Sequence, residues 1–250
     1  MYWNKVRAIM GKNIQKNINI PSMVRQSEVV LVIVAHTDDE TLGVGGTIAR
    51  HVENGDIVYG MSMTNGVGSR EGKQYESTQQ RREAALRAAN ILGLTWLVEG
   101  NFPDNQMDTI SMLSVTKVIE SVKDQIKPTI VYTHSMADLN IDHRIVAQAT
   151  FTAFRPQPYE VWKEIRTFET PSATDYGHKD VTASFYPNLY VSIEKTWDAK
   201  LRALKEYSSE MRSAPHTRSL AGIQNLAKYR GNQVGVVLAE AFQIIRKVER

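Results

Sequence analysis

Val29-Val30-Leu31-Val32-Ile33-Val34-Ala35-His36-Thr37-Asp38-Asp39-Glu40 is the stretch that decides the architecture. Its first six residues are apolar and mostly β-branched, with no polar residue alternating among them. That is the pattern of a strand covered on both faces inside a parallel sheet. At its carboxyl end the chain turns abruptly polar, a Gly-containing helical stretch runs to Gly55, and Asp56 to Thr64 reads as a second strand. Strand, helix, strand is the unit from which doubly wound α/β domains are built.

Outward from this unit the alternation continues. Glu76 to Leu92 has helical composition and is stopped by Gly93, and Trp96 to Val98 suits a short strand. Thr109 to Ile126 reads as a helix ending before Lys127-Pro128, Thr129 to Thr133 as the next buried strand, and a further helix opens near His143. Beyond it, Tyr159 to Glu169 and Leu189 to Ile193 look like strands, and Trp197 to Met211 and Leu220 to Tyr229 look helical. The apolar run Val234 to Phe242 fits either state, because periodicity does not separate short apolar segments. No repeat, low-complexity block or linker divides residues 1–250. The expected fold is one Rossmann-like α/β domain, with a mostly parallel sheet and helices on both faces. Ligands of such sheets bind outside the carboxyl ends of the strands, so segments 36–40, 64–70, 102–108 and 134–143 should meet on one rim.

Composition narrows the chemistry. With 250 residues, 42% hydrophobic and 23% charged, the chain can bury a sizeable core. It has no cysteine, so a catalytic metal would be held by His, Asp or Glu and the nucleophile is not a thiolate. Residues 1–27 carry Lys5, Arg7, Lys12, Lys16 and Arg25 without an acidic residue. This basic leading segment suits peripheral contact with an anionic membrane or a phosphorylated substrate, or simple solvation. It does not resemble a signal peptide, and nothing in the chain approaches the roughly 18 apolar residues of a membrane span. The cytoplasm is the expected compartment. A net charge of +3 is too small to suggest nucleic acid as a partner. Oligomeric state is not legible.

The first rim segment places His36 and Asp39 three apart on a turn, where an imidazole and a carboxylate can reach one point while Asp38 points beside it. A hydrolytic zinc site needs three protein ligands, an open position for water and a separate carboxylate to take the water's proton. Asp142-His143, opening the helix after the Thr129 to Thr133 strand, offers His143 as third ligand. Taken singly, each residue has an ordinary reading: a hydrogen-bonded structural histidine, or an aspartate capping a helix. A magnesium-dependent nuclease or phosphatase built on Asp38, Asp39 and Glu40 is disfavoured by the two histidines. A non-hydrolytic Rossmann-like nucleotide or sugar binder would use Gly43-Val44-Gly45-Gly46, which lacks the full dinucleotide fingerprint.

With these residues assembled, the chain resembles the LmbE-like or PIG-L-like zinc N-deacetylases of amino sugars over most of its length. The family signature Ala-His-Pro-Asp-Asp-Glu appears as Ala35-His36-Thr37-Asp38-Asp39-Glu40, and the Asp-His closing a second signature appears as Asp142-His143. The resemblance implies one zinc ion on His36, Asp39 and His143, Asp38 as general base, and Asp142 supporting a ligand from behind. Similarities at Thr64-Asn65-Gly66, Arg81-Arg82-Glu83 and Phe102-Pro103-Asp104-Asn105 imply a sugar pocket contacted by Asp104 and by Arg81 or Arg82. Ala239-Glu240-Ala241-Phe242 resembles the family's C-terminal end, where a glutamate near the pocket is common. The implied activity is hydrolysis of a linear amide, the N-acetyl group of an N-acetylglucosamine-like glycoside, sugar nucleotide or lipid-linked sugar.

Two departures stand out. Thr37 replaces the usual proline, and Asn140 stands where many members place a histidine that donates to the oxyanion or supplies a proton. An amide donates a hydrogen bond but does not hand over a proton, so acid catalysis falls to Asp38 or to an imidazole from elsewhere, His134 or His216. The polar segment Glu210 to Ser219, which contains His216, reads equally as a solvated loop or a substrate-facing one.

Overall fold

A computed structural model describes residues 25–64, 66, 77–178 and 184–249. Most of the basic leading segment, Asn65 and Glu76 therefore lie outside the described residues. Seven strands form one sheet: β1 (Val29–Val34), β2 (Ile57–Thr64), β3 (Thr95–Phe102), β4 (Ile130–His134), β5 (Glu164–Phe168), β6 (Leu189–Ser192) and β7 (Ala239–Lys247), in the order β3-β2-β1-β4-β5-β7-β6. The strands from β3 across to β5 pair in parallel, and β7 runs antiparallel to both β5 and β6. Among the described residues six α-helices connect them: α1 (Asp39–Glu53), α2 (Thr78–Leu92), α3 (Met112–Ile126), α4 (Ile141–Ala153), α5 (Trp197–Glu206) and α6 (Leu220–Asn232). None among the described residues is long and apolar enough to cross a membrane.

The apolar run of β1 is continuous because both of its faces are covered. Val30, Val32 and Val34 enter a core with Val44, Ile48, Ala84, Ala88 and Phe168, while Leu31, Ile33 and Ala35 enter another with Val115, Ile119 and Val146. Strand order reverses between β1 and β4, which flank each other while their helices leave to different sides. This is the switch point at which an open α/β sheet forms its crevice.

The glycines of α1 do not form a ligand loop. A Cβ on Gly43 would sit 2.3 Å from the Phe168 ring, and one on Gly46 2.7 Å from Ile193. They let the helix pack closely on β5 and on the segment after β6, which removes the feature that had suggested a nucleotide binder. Glu240 likewise departs from the expectation of a pocket residue. It is buried against the middle of α1, 2.6 Å from Lys200 Nζ, and accepts the backbone N–H bonds of Gly46 and Thr47 at 2.9 and 2.8 Å.

Several boundaries shift. β3 runs eight residues rather than three, because as an edge strand it pairs on one side and tolerates polar residues. The Tyr159 to Glu169 stretch is a strand only from Glu164, since Tyr159 turns at φ 69°. Helix α5 stops at Glu206, and the run from Val234 divides into a turn through Gly235 (φ 75°) and then β7.

Candidate active site

Where β1 ends, the chain makes a tight turn whose polar groups bond to one another. His36 N–H donates to Asp39 Oδ2 at 3.0 Å, Asp38 N–H to Glu40 Oε2 at 2.9 Å, and the Asp38 carbonyl accepts from Thr41 and Leu42 as α1 begins. Asp38 adopts φ 132°, ψ −29°, a region that costs a residue with a Cβ on the order of 1–3 kcal/mol and persists only when its surroundings impose it. Thr37 has a definite use here: its hydroxyl accepts from Arg81 Nε at 3.1 Å and its carbonyl accepts from Arg81 Nη2.

Strand β4 and the start of α4 bring the second half of the site. Ligand atoms of His36, Asp39 and His143 lie within 4.8 Å of one another, all buried. Asp39 Oδ2 is 3.3 Å from His36 Nδ1 and 3.3 Å from His143 Nε2. His143 Nδ1 is 2.8 Å from Asp138 Oδ2, whose other oxygen accepts the Thr174 hydroxyl. In the neutral imidazole Asp138 thus fixes the proton on Nδ1 and leaves Nε2 facing Asp39, the carboxylate–histidine arrangement of metal sites. Asp39 Oδ1 and His143 Nε2 are buried with no hydrogen-bond partner among the described residues. Buried polar atoms without a partner are costly, and a divalent cation held by His36, Asp39 and His143 would give both of them one. The residues present fit a metal.

The other expected residues fall around this cluster in distinct ways. Asp142 accepts backbone N–H bonds from Asn105 and Met107 at 2.7 and 3.1 Å and lies 3.2 Å from His36 Nε2, so it ties the loop after β3 to that imidazole. Asp104 approaches the same nitrogen at 3.0 Å and lines the cavity. Asn140 is the N-cap of α4: its Oδ1 accepts from the amides of Asp142 and His143, and its Nδ2 donates to Asn105. His134, one of the two imidazoles that could have supplied a proton, is fully buried beneath His143, ring centroids 3.9 Å apart. Its Nε2 accepts from Ala35 N–H at 2.9 Å, which removes it from the cavity. His216 does line the cavity, and because its Nδ1 accepts the Arg218 amide at 3.0 Å, its neutral form carries the proton on Nε2.

Asp38 stands beside the cluster in a ring of charges. Arg81 Nη2 lies 3.2 Å from its Oδ1, Arg218 Nη1 lies 3.1 Å from its Oδ2, and Glu210 pairs with Arg81 at 2.8 Å. Arg81, 3% exposed, is therefore committed to Thr37, Asp38 and Glu210, and a sugar contact from it would have to share those bonds. Arg82 is not brought to this cavity: it is exposed, pairs with Glu99 at 2.8 Å and lines a neighbouring space of about 540 Å³ with Trp96 and Thr78. The cavity beside the cluster is about 210 Å³ and is walled by His36, Asp38, Arg81, Asp104, Asn105, Asn140, Ser172, Glu210, Arg212, His216 and Arg218, with Gly66.

Electrostatics favours positive charge at the cluster. Burial alone would raise the Asp39 carboxyl, but the His143 and His134 imidazoles hold it well below the usual carboxylate range. Burial opposes protonation of His143, yet Asp39 and Asp138 push it up to about 9. His36 is raised well above its ordinary value against the same burial cost, by Asp104, Asp142 and Asp39. Asp38 differs: burial raises it, and Arg81 and Arg218 only partly oppose that. Glu40, buried behind the turn, is pushed up by burial to about 7.

Asp138, Thr174, Arg218, Glu210 and Tyr207 join the site without a signal of their own in the sequence. Asp138 lies in the polar rim segment 134–143, and Glu210 and Arg218 in the polar segment that reads equally as a solvated loop or a substrate-facing one. Tyr207 gave no signal, because a tyrosine ending a helix reads as core.

Comparison with known proteins gives the lineage. The family model described as PIG-L, GlcNAc-PI de-N-acetylase, matches residues 31–154. The chain is 32% identical over 189 residues to a protein of Escherichia coli (strain K12) named as the uncharacterized deacetylase YaiS, covering 72% of this chain and 90% of that one. It is 26% identical over 206 residues to the 4-oxalmesaconate hydratase of Pseudomonas putida, covering 76% and 75%. In fold it resembles the N,N′-diacetylchitobiose deacetylase of Pyrococcus horikoshii, with a TM-score of 0.68 at 21% identity, over 98% of this chain and 91% of that one.

Proposed function

The chain belongs to the PIG-L family of GlcNAc-PI de-N-acetylases, and from that premise we propose that it is a zinc-dependent hydrolase removing the N-acetyl group of an amino sugar. The observation that carries this reading is the meeting of His36, Asp39 and His143, with two of their buried polar atoms lacking a hydrogen-bond partner among the described residues and Asp38 next to the cluster but outside it. Zinc on those three residues, about one per chain, would supply a Lewis acid and a water of lowered pKa.

The chain's own groups do the rest. Asp38, whose carboxyl burial raises, accepts the proton of the attacking water while that water's oxygen forms a bond to the acyl carbon. His216 offers its Nε2–H, and Asn140 its remaining amide N–H, to the oxygen that becomes negative. As the carbon–nitrogen bond breaks, Asp38 returns its proton to the amine nitrogen, leaving acetate and the free amino sugar. Asp104 lines the cavity within reach of a sugar hydroxyl, and Arg82 is positioned for a larger group extending into the 540 Å³ space.

The test is acetate release from a panel of N-acetylglucosamine glycosides, sugar nucleotides and lipid-linked sugars, by zinc-loaded and chelator-treated protein. Release by the loaded form alone supports the reading. A second reading, hydration of a carbon–carbon double bond, is favoured by the Pseudomonas putida relative. Including 4-oxalmesaconate separates the two: its consumption without acetate release from any sugar overturns the deacetylase assignment.

A further inference from the structure

The strained backbone of Asp38 is held from two sides. On the peptide side, its N–H donates to Glu40 Oε2 at 2.9 Å, and Glu40 is itself fixed through Oε1, which accepts the hydroxyls of Thr41 at 2.7 Å and Tyr207 at 2.8 Å. On the side-chain side, Asp38 Oδ1 is 3.2 Å from Arg81 Nη2, and the Arg81 guanidinium lies over the Tyr207 ring, 5.4 Å from its centroid. Both supports end on one residue that is 1% exposed and lies just past α5, far along the chain from the turn it serves.

We propose that Tyr207 is a positioning residue for Asp38: its hydroxyl sets Glu40 and thereby the Asp38 peptide, and its ring face sets Arg81 and thereby the Asp38 carboxylate. The inference rests on the reading of Asp38 as the proton acceptor. A tyrosine that only filled the core would need its ring but not this hydroxyl, and its loss would be felt equally whether or not Asp38 could act as a base.

Tyr207→Phe separates the two roles, since it keeps ring and volume and deletes the hydroxyl. Two readouts follow in zinc-loaded, ¹⁵N-labelled protein. The Asp38 amide resonance should shift and its hydrogen exchange quicken, with zinc content unchanged. In a cycle with Asp38→Asn, assayed by acetate release from an N-acetylglucosamine glycoside, Tyr207→Phe should lower kcat on the order of tenfold with KM unchanged, and cause no further loss in the Asp38→Asn background. Installing 3-fluorotyrosine at position 207, which restores a hydroxyl, should bring both readouts back toward the parent. An unmoved Asp38 amide, or the same fold-loss in both backgrounds, overturns the proposal. If the parent releases no acetate, the deacetylase reading falls, and the amide readout still decides the role of Tyr207.

Discussion

Asp138 shows what a single side chain contributes to this site. It takes the Nδ1–H of His143, is fixed by Thr174, and so reserves Nε2 of the neutral imidazole for the side that faces Asp39. Removing such a partner typically weakens metal binding by about 10- to 100-fold. Asp138→Asn should therefore lower zinc affinity in that range in a competition titration against a chelator while the protein stays folded; an unchanged affinity would show that the helix α4 backbone alone orients the imidazole. The meeting of the three residues proposed as ligands was legible in the sequence, because His36 and Asp39 lie three apart on one turn and His143 opens a helix at the adjacent strand end. Asp138 was not, since an acidic residue shortly before a helix reads equally well as a cap.

At the scale of elements, α1 carries Asp39 at its first position, so its placement on the sheet sets the site. The Lys200–Glu240 pair grips the middle of this helix: Lys200 Nζ donates to the Leu42 carbonyl at 2.8 Å, and Glu240 takes the Gly46 and Thr47 amides. Removing one partner of a buried pair leaves the other uncompensated, at a cost of about 3–5 kcal/mol. Glu240→Ala should lower the denaturant midpoint accordingly, whereas replacing both residues with apolar ones of similar size should recover much of the loss; equal destabilisation by both variants would contradict this account. The pair was not legible from local sequence, because it joins residues 40 positions apart whose local settings are an ordinary helix and an apolar strand. The β1 strand and its polar end, by contrast, were readable from consecutive residues, and the parallel topology followed from them.

For the whole molecule, the buried carboxylates around three imidazoles tie folding, protons and metal together. In the metal-free protein His143 is pushed up to about 9 from 6.5, so its pairing contributes stability that is fully present below about pH 6.5 and is lost as pH rises through about 9. His36 acts in the same direction. Asp39, held low, contributes stability above its ordinary value of 3.8 that is lost only in stronger acid. Chelated protein should thus melt at lower temperature at pH 9 than at pH 6.5. A metal held by these imidazoles would have to displace the same protons, so the rise in melting temperature on adding zinc should grow across that interval; a rise that shrinks would mean the imidazoles are not its ligands. Measuring zinc content and turnover together in Asp38→Asn decides whether Asp39 binds the metal while Asp38 moves the proton. That change keeps shape and removes basicity. Zinc should stay at about one per chain while turnover falls by roughly 10²- to 10⁴-fold; zinc lost in step with activity would make Asp38 a ligand and exchange the roles of the two aspartates.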